Sequence, residues 1–517
     1  MMPNFSDPVL TCAEAKAWES ALLHDPTAEW AAMQQAGAAV GRAVINDFRE
    51  IGGLPDHARL LVLVGKGHNG GDAVLAAKFI LEKLPEATAD VLLCFGEESL
   101  RPLARRSLED LRQIVGKRTR EVVIAQLKTE LASYDLCLDG VFGFQFHPPM
   151  DESIAGILAW VNTHPRIRLR AAVDLPSGLG EQNAGSIFRA DFTYATGIVK
   201  SPVLLPTNAA LVGRLRYLDL CFFTEERMDP NALDRVLLSA ILSPLAGLRS
   251  PQSDKRTYGH LAVVGASHSY PGAVMLAVRA ALRSGAGLVT AFVPERFAPE
   301  FAARYPEVMW VGCPETKSGG LASGTVELVR ARASRATALL MGPGLAAEPE
   351  TLAALGDIVR ITNMPLVLDA DALRPEIVAA AQGKTFICTP HAGELARIGG
   401  WAGLRPAPGG PAAGKIVAVL KGPVTRIETE SDRSEADPTY HSLFGGPVLA
   451  RGGSGDLLAG LIGGLLAQQP DEPLLAACRG VVWHGRAADL LARTRGQVAV
   501  ETSEILEQLG PALLLTT

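Results

Sequence analysis

The chain has few of the features that mark secreted, membrane or nucleic-acid-binding proteins. Its seven cysteines (Cys12, Cys94, Cys137, Cys221, Cys313, Cys388 and Cys478) are odd in number and scattered. None forms a Cys-x-x-Cys pair, which argues against a zinc site or a disulfide framework. Positive charge is not in excess: 49 Lys and Arg against 55 Asp and Glu leave a net charge of −6. That balance offers no broad basic footprint for nucleic acid. No uninterrupted apolar run reaches membrane-spanning length, which argues against a transmembrane helix and a membrane partner. The opening residues MMPNFSDPVLTCAEAKAWES lack a basic region followed by an apolar run, so they do not read as a signal peptide. A reduced, cytoplasmic enzyme is the expectation. Short-period repeats are missing as well. At 517 residues the chain is too long for one core and suggests two to four domains.

What is present is alternation. RLLVLVG, ADVLLCFG, YDLCLDG and RLRAAVDLPSG read as buried parallel strands, and so do GHLAVVGAS, TALLMGPG, MPLVLDADAL, TFICTP and KIVAVLKG. Helical segments fall between most of them, the pattern of an α/β fold. In such sheets ligands bind beyond the carboxyl ends of strands, where this sequence keeps its glycines and acids. A seam from Asp219 to Asp254 breaks the alternation with prolines and charges, and the boundary is expected near Asp229. Two domains follow, 1–228 and 229–517. The Gly/Pro-rich stretch GGWAGLRPAPGGPAAGK reads as a surface loop of the second.

In the first half, VLVGKGHNGGDAVLAAKFI (Val62 to Ile80) reads as a strand, a Gly-rich turn and a helix. Gly65, Gly67, Gly70 and Gly71 suit a phosphate cradle or a tight structural turn equally well. The Gly-x-Gly-x-x-Gly spacing and the Lys-Ser/Thr of a P-loop are both missing. Asp139 and Asp174 stand at two further strand ends, and Asp72 opens the helix after the loop. Oxygen donors converging from several strand ends suit a hard cation; a cap or a turn is the plain alternative for each acid taken singly.

GHNGGDA (Gly67 to Ala73), DGVFGFQF (Asp139 to Phe146) and VDLPSG (Val173 to Gly178) come in the order and spacing of three motifs of the NAD(P)H-hydrate epimerase family, which the first 220 or so residues resemble. The resemblance implies a Rossmann-like fold with a potassium ion bound by Asn69, Asp139 and Ser177. It implies that the loop His68, Asn69, Gly70, Gly71 and Asp72 holds the hydrated nicotinamide nucleotide. The segment Gly143, Phe144, Gln145, Phe146, His147, Pro148 and Pro149 and the carboxylate of Asp174 would complete that site. Lys200, in ATGIVKSPV, matches a lysine of the family's late strand. His68 and Ala73 depart from the asparagine and glycine of the family's loop, which bears on substrate geometry more than on the ion. A binding or regulatory first half is the alternative.

The second half closes on LARGGSGDLLAGLIGGLLAQ (Leu449 to Gln468), where glycines and a serine lead Asp456 into an apolar helix. A helix N-terminus favours anions. A carboxylate there either complements the helix dipole or acts as a general base toward a hydroxyl. MGPGL, LDADAL, TPHAGELARI and LKGPVT place Gly344, Asp369, Asp371, His391 and Lys421 near strand ends. His484, in WHGRAADLLA, reads as packing. These motifs in this order resemble ribokinase-like enzymes, and within them the ADP/ATP-dependent NAD(P)H-hydrate dehydratases. The resemblance implies that Lys421, Gly422, Pro423, Val424, Thr425 and Gly455 line the nucleotide site. It places Ala273, Gly344, His391 and Asp456 around the hydrated cofactor, with Asp456 catalytic. Asp174 is the expected proton-handling group of the first half. NADH or NADPH hydrates and ADP are the implied small-molecule substrates, magnesium is the implied companion of the nucleotide, and a homo-oligomer is expected. A small-molecule kinase using the same fold is the competing reading.

Overall fold

In the computed structural model, which describes residues 5–130, 132–183, 185–224, 232–404, 414–430 and 437–514, every apolar segment named above forms a strand. The chain divides into two units. One comprises residues 7–232 with 492–497; the other comprises residues 1–6, 233–491 and 498–517. The expected boundary at Asp229 lies outside the described residues, as do residues 405–413 of the Gly/Pro-rich stretch.

The N-terminal unit contains β1 (Ser6–Leu10), β2 (Arg59–Val64), β3 (Thr88–Leu93), β4 (Thr119–Val122), β5 (Tyr134–Gly140), β6 (Ile167–Val173), β7 (Phe192–Thr196), β8 (Val199–Lys200) and β9 (Arg214–Leu218). Seven of these form a wholly parallel sheet in the order β4-β3-β2-β5-β6-β7-β9. Leu60 to Val64 are buried without alternation, as expected of a strand covered on both faces. The order reverses between β2 and β5, which opens a ligand crevice beyond their carboxyl ends. Val9 and Leu10 pair with Val199 and Lys200. Under the sheet, the buried Asp47 carboxylate meets Arg216 (3.2 Å) and Arg493 (2.7 Å). Burial pushes that carboxyl up, but the two guanidiniums outweigh it and hold it below its usual range.

The C-terminal unit contains β10 (Asp234–Leu237), β11 (His260–Val264), β12 (Leu288–Pro294), β13 (Met309–Cys313), β14 (Ala338–Met341), β15 (Leu366–Leu368), β16 (Phe386–Cys388), β17 (Ile416–Leu420), β18 (Thr425–Glu430) and β19 (Thr439–Ser442). Its strands run β13-β12-β11-β14-β15-β16-β17-β18-β19-β10. They are parallel from β13 to β17, then antiparallel across β18. The seam was expected to be irregular up to GHLAVVGAS; instead it contains β10, which pairs with β19. Its short DRVL run opens on two charged residues and runs straight into the apolar segment LSAIL, so the strand itself does not stand out. The helix Ser454–Gln468 is almost wholly buried and crosses the helix Pro271–Arg283 very closely. A Cβ on Gly460 would lie 2.0 Å from the Ala277 carbonyl oxygen, so only glycine permits that approach. Among the described residues no helix is long and apolar enough to cross a membrane.

Candidate active sites

In the N-terminal unit the crevice is built from the ends of β2, β5 and β6. Gly67 precedes the helix His68–Lys83 and caps it with no side chain, so the first helical N–H groups stay open to an anion. His68 is exposed, while Gly70 and Gly71 are buried in the first turn. Asn69 donates through Nδ2 to the Phe142 carbonyl (2.8 Å). Its Oδ1 is shielded from solvent and has no hydrogen-bond partner among the described residues. Asp139 ends β5, fully buried. It accepts from Ser177 Oγ (2.6 Å), Ser177 N (2.8 Å) and Val141 N (3.2 Å). Burial pushes its carboxyl up to about 6 against those hydrogen bonds. Ser177 Oγ also accepts from Phe142 N (2.8 Å). Asn69, Asp139 and Ser177 therefore converge around Phe142. Neutral oxygens with one carboxylate, and an orphaned Asn69 Oδ1 among them, fit a hard monovalent cation.

Asp174 follows β6 in the left-handed region, at φ 66°, a strained backbone for a residue other than glycine. Its Oδ1 lies 2.5 Å from Lys200 Nζ. Lys200 is only 1% exposed, and its ammonium sits 4.8 Å from the centre of the Phe144 ring. Burial alone would push that ammonium's pKa down; Asp174 and Glu19 outweigh it and hold it above the usual value. A Cβ on Gly143 would lie 3.4 Å from Asn69 Cβ and 3.8 Å from Asp174 Oδ2, so the segment from Gly143 lines the same crevice. Phe146 packs on Phe142 with centroids 4.5 Å apart, while Gln145, His147, Pro148 and Pro149 are exposed. Asp72 is half-buried, with Oδ1 shielded and unpartnered among the described residues. Burial, then Asp174 and Glu19, raise its carboxyl well above the ordinary range.

In the C-terminal unit the order reverses between β11 and β14. Beyond them, a Cβ on Gly344 would lie 3.0 Å from Ala273 Cβ, and Ser267 Oγ donates to the Gly344 carbonyl (2.8 Å). Asp369 follows β15, buried, and accepts from Thr389 Oγ1 (2.6 Å) and Lys421 Nζ (3.1 Å). Asp371 points to another partner, Arg374 at 3.0 Å. Lys421 follows β17 and also lies 3.7 Å from Glu394 Oε2. Gly422 and Pro423 are exposed at the turn, and Val424 and Thr425 are half-buried where β18 begins. His391 caps the helix Ala392–Arg397: its Nδ1 accepts from Gly393 N (3.0 Å) and Glu394 N (3.3 Å), while Glu394 Oε2 accepts from His391 N (2.9 Å).

Gly453, at φ 85°, turns the chain into the helix that carries Asp456. A Cβ on Gly455 would lie 3.3 Å from Lys421 Nζ and 4.0 Å from Asp369 Oδ2, so the helix start faces the Lys421–Asp369 pair. Burial, with Asp369 and Glu394 adding, pushes the Asp456 carboxyl up to about 7 against the pull of Lys421. His484 is buried, and burial and Lys421 push its imidazole down to about 4, in keeping with a packed neutral ring. Two carboxylates escaped the sequence reading. Glu394 had a usable signal, because a glutamate three residues after a cap residue is the capping-box spacing. Glu19 had none.

One unit thus groups buried carboxyls and a lysine beside an oxygen cluster whose chemistry fits a cation, and the other groups an ammonium, a glycine-led helix start and a carboxyl poised near neutrality, a combination suited to phosphoryl transfer. Residues 261–510 match the family described as NAD(P)H-hydrate dehydratase, and residues 30–201 match that of the YjeF-related protein N-terminus. The bifunctional NAD(P)H-hydrate repair enzyme of Moorella thermoacetica is 32% identical over 496 residues, covering 92% of this chain and 91% of its own. That of Gloeobacter violaceus is 32% identical over 521 residues, covering 97% of each. Among solved structures, an ADP/ATP-dependent NAD(P)H-hydrate dehydratase from Bacillus subtilis co-crystallised with ATP and Mg2+ is 26% identical, with a TM-score of 0.43, covering 52% of this chain and 94% of its own. The chain belongs to the family of bifunctional NAD(P)H-hydrate repair enzymes.

Proposed function

We propose that the N-terminal unit interconverts the R and S forms of hydrated NADH or NADPH and that the C-terminal unit dehydrates the S form with ADP. The observation that carries the second half is Asp456, with its carboxyl near neutrality, at a helix start facing Lys421. Hydroxide is a poor leaving group. Asp456 takes the proton of the ring hydroxyl as that oxygen attacks the terminal phosphorus of ADP, and AMP leaves. The C–O bond then breaks with phosphate as leaving group, the neighbouring carbon loses a proton, and the ring double bond returns. Lys421 draws in the phosphates, and the N–H groups at the helix start stabilise charge on the transferring group. Gly422, Pro423, Val424 and Thr425 hold the nucleotide; Ala273, Gly344 and His391 hold the hydrate. Magnesium would accompany the nucleotide and neutralise its phosphates; among the described residues no cluster of three or more His, Cys, Asp or Glu forms a cage for it.

In the N-terminal unit Asn69, Asp139 and Ser177 would hold potassium, which would supply a fixed positive charge in the crevice. The loop from His68 to Asp72 and the segment from Gly143 to Pro149 orient the nucleotide. Asp174, fixed by Lys200, orders the proton traffic at the hydrated carbon. Incubating the S hydrate with ADP tests the scheme: one AMP and one phosphate are expected per reduced nicotinamide formed. A stable phosphorylated nucleotide with no reduced nicotinamide would establish the kinase reading instead.

A further inference from the structure

Glu19 lies outside every motif discussed above, on the helix Cys12–Leu22. Its Oε1 is 3.8 Å from Lys200 Nζ, and Asp174 Oδ1 lies 2.5 Å from the same nitrogen. Asp72, whose field reaches both Asp174 and Glu19, brings an unpartnered, shielded Oδ1 to the group. Cys12 shares the fields of Asp174 and Lys200, and burial, then Glu181 and Asp174, keep it a thiol, pushed up to about 11 against the pull of Lys200. Three carboxyl groups therefore share one ammonium in a poorly hydrated pocket. Full ionisation would leave two uncompensated negative charges, which such a pocket resists by keeping protons. The members differ in access. The Glu19 side chain is 25% exposed, against 7% for Asp174 and 1% for Lys200. Of the two carboxylates that pair with Lys200, Glu19 is the one with access to solvent.

The reaction proposed for this unit needs such a group. A dihydronicotinamide is an enamine, so water adds with its hydroxyl on the ring carbon bonded to nitrogen. To invert that carbon, the nitrogen lone pair forms a C=N bond while the C–O bond breaks, and the oxygen leaves with the bonding pair and one proton, as water. Water then adds through oxygen on the other face, the C=N π pair returns to nitrogen, and one proton is released. No oxidant or net acid is consumed, but the proton lent on one face is returned on the other. The pocket must move a proton between its carboxyl groups before the next turnover in the same direction.

We propose that Glu19 is the relay that resets this proton, acting through the Lys200–Asp174 pair rather than on the substrate; the proposal rests on the epimerase reading above. Burial, with Asp174 adding and Lys200 opposing, pushes the Glu19 carboxyl up to about 7, where gaining and losing a proton are equally easy. Glu19 is a positioning residue for the proton, and its loss shows in the pH profile.

The test uses the full-length chain and follows the epimer ratio of the hydrate without ADP. The wild type is expected to show an inflection near pH 7. Glu19→Gln is expected to lose that inflection and to slow epimerisation about 10²-fold near neutrality, the low end for a missing proton-transfer group. Its thermal midpoint and its ADP-dependent dehydration of the pure S form stay at the wild-type values. Glu19→Asp is expected to restore part of the inflection. A Glu19→Gln protein that matches the wild-type rate and profile overturns the relay. So does one that is slowed equally at every pH with the inflection intact, since that is a structural effect. A wild type that leaves the epimer ratio as buffer does overturns the epimerase reading itself.

Discussion

The two units solve the same electrostatic problem at different depths. Each places a lysine at or just beyond a strand end against a buried aspartate, with further carboxylates nearby: Lys200 with Asp174, Glu19 and Asp72, and Lys421 with Asp369, Glu394 and Asp456. The lysines differ in exposure, 1% for the Lys200 side chain and 23% for that of Lys421. A lysine sealed into the fold cannot meet an incoming phosphate, so its charge tunes the protons of the carboxyl groups around it. A lysine at the mouth of a crevice can exchange its carboxylate for a phosphate oxygen. Depth, more than residue type, separates the proposed acid–base site from the proposed phosphoryl-transfer site.

The largest effect expected from breaking this comparison is at Asp456. Asparagine keeps the size and the place at the helix start but cannot take a proton, so Asp456→Asn should cost ADP-dependent dehydration about 10²–10⁴-fold. Epimerisation should be untouched, and ADP should still bind. Loss of a helix-terminus charge alone costs about 0.3–1 kcal/mol of stability with little change in turnover. Near-normal dehydration in this variant would therefore leave Asp456 as a dipole partner only.

Replacing the lysines sharpens the contrast in depth. Lys200→Met leaves Asp174 buried without its cation, and breaking a buried pair from one side costs about 3–5 kcal/mol. A lowered unfolding midpoint for the N-terminal unit is expected. Lys421→Met should leave the midpoint nearly in place and instead raise the KM for ADP. Equal destabilisation by the two variants would erase the distinction drawn above.

A smaller effect is expected in the pH profile of dehydration. Asp456 acts as a base only when ionised, so the rate should rise with pH and level off above about 7. The negative charge of Asp369 contributes to that raised pKa. Asp369→Asn should move the rise to lower pH, and an unmoved limb would show that Asp369 does not face Asp456 electrostatically.

Much of this was legible in the sequence because the chemistry sits where an α/β sheet must put it. The apolar runs around Leu60, Leu136 and Leu339 mark strands, and the acids and glycines that follow them fall at their carboxyl ends. Asn69, Asp139 and Ser177 come from three separate motifs and meet around Phe142. Three things were hidden for physical reasons. Glu19 meets Lys200 from a helix distant in sequence, and only tertiary packing brings the two together. The strands β10, β18 and β19 (DRVL, TRIETE and TYHS) mix charged and polar residues among the apolar ones, so no apolar run announces them. Arg493 completes the Asp47 ion pair of the N-terminal unit from near the far end of the chain, a partnership that no local pattern encodes.

The most direct measurement supplies the full-length protein with a mixture of R and S hydrates and ADP, and follows the absorbance of reduced nicotinamide to its end point. The account predicts recovery from both epimers, with the R form consumed as fast as the N-terminal unit converts it. An end point fixed at the S fraction, with R hydrate left unchanged, would contradict an epimerase unit; no recovery at all with either ADP or ATP would contradict the phosphoryl-transfer site built around Asp456 and Lys421.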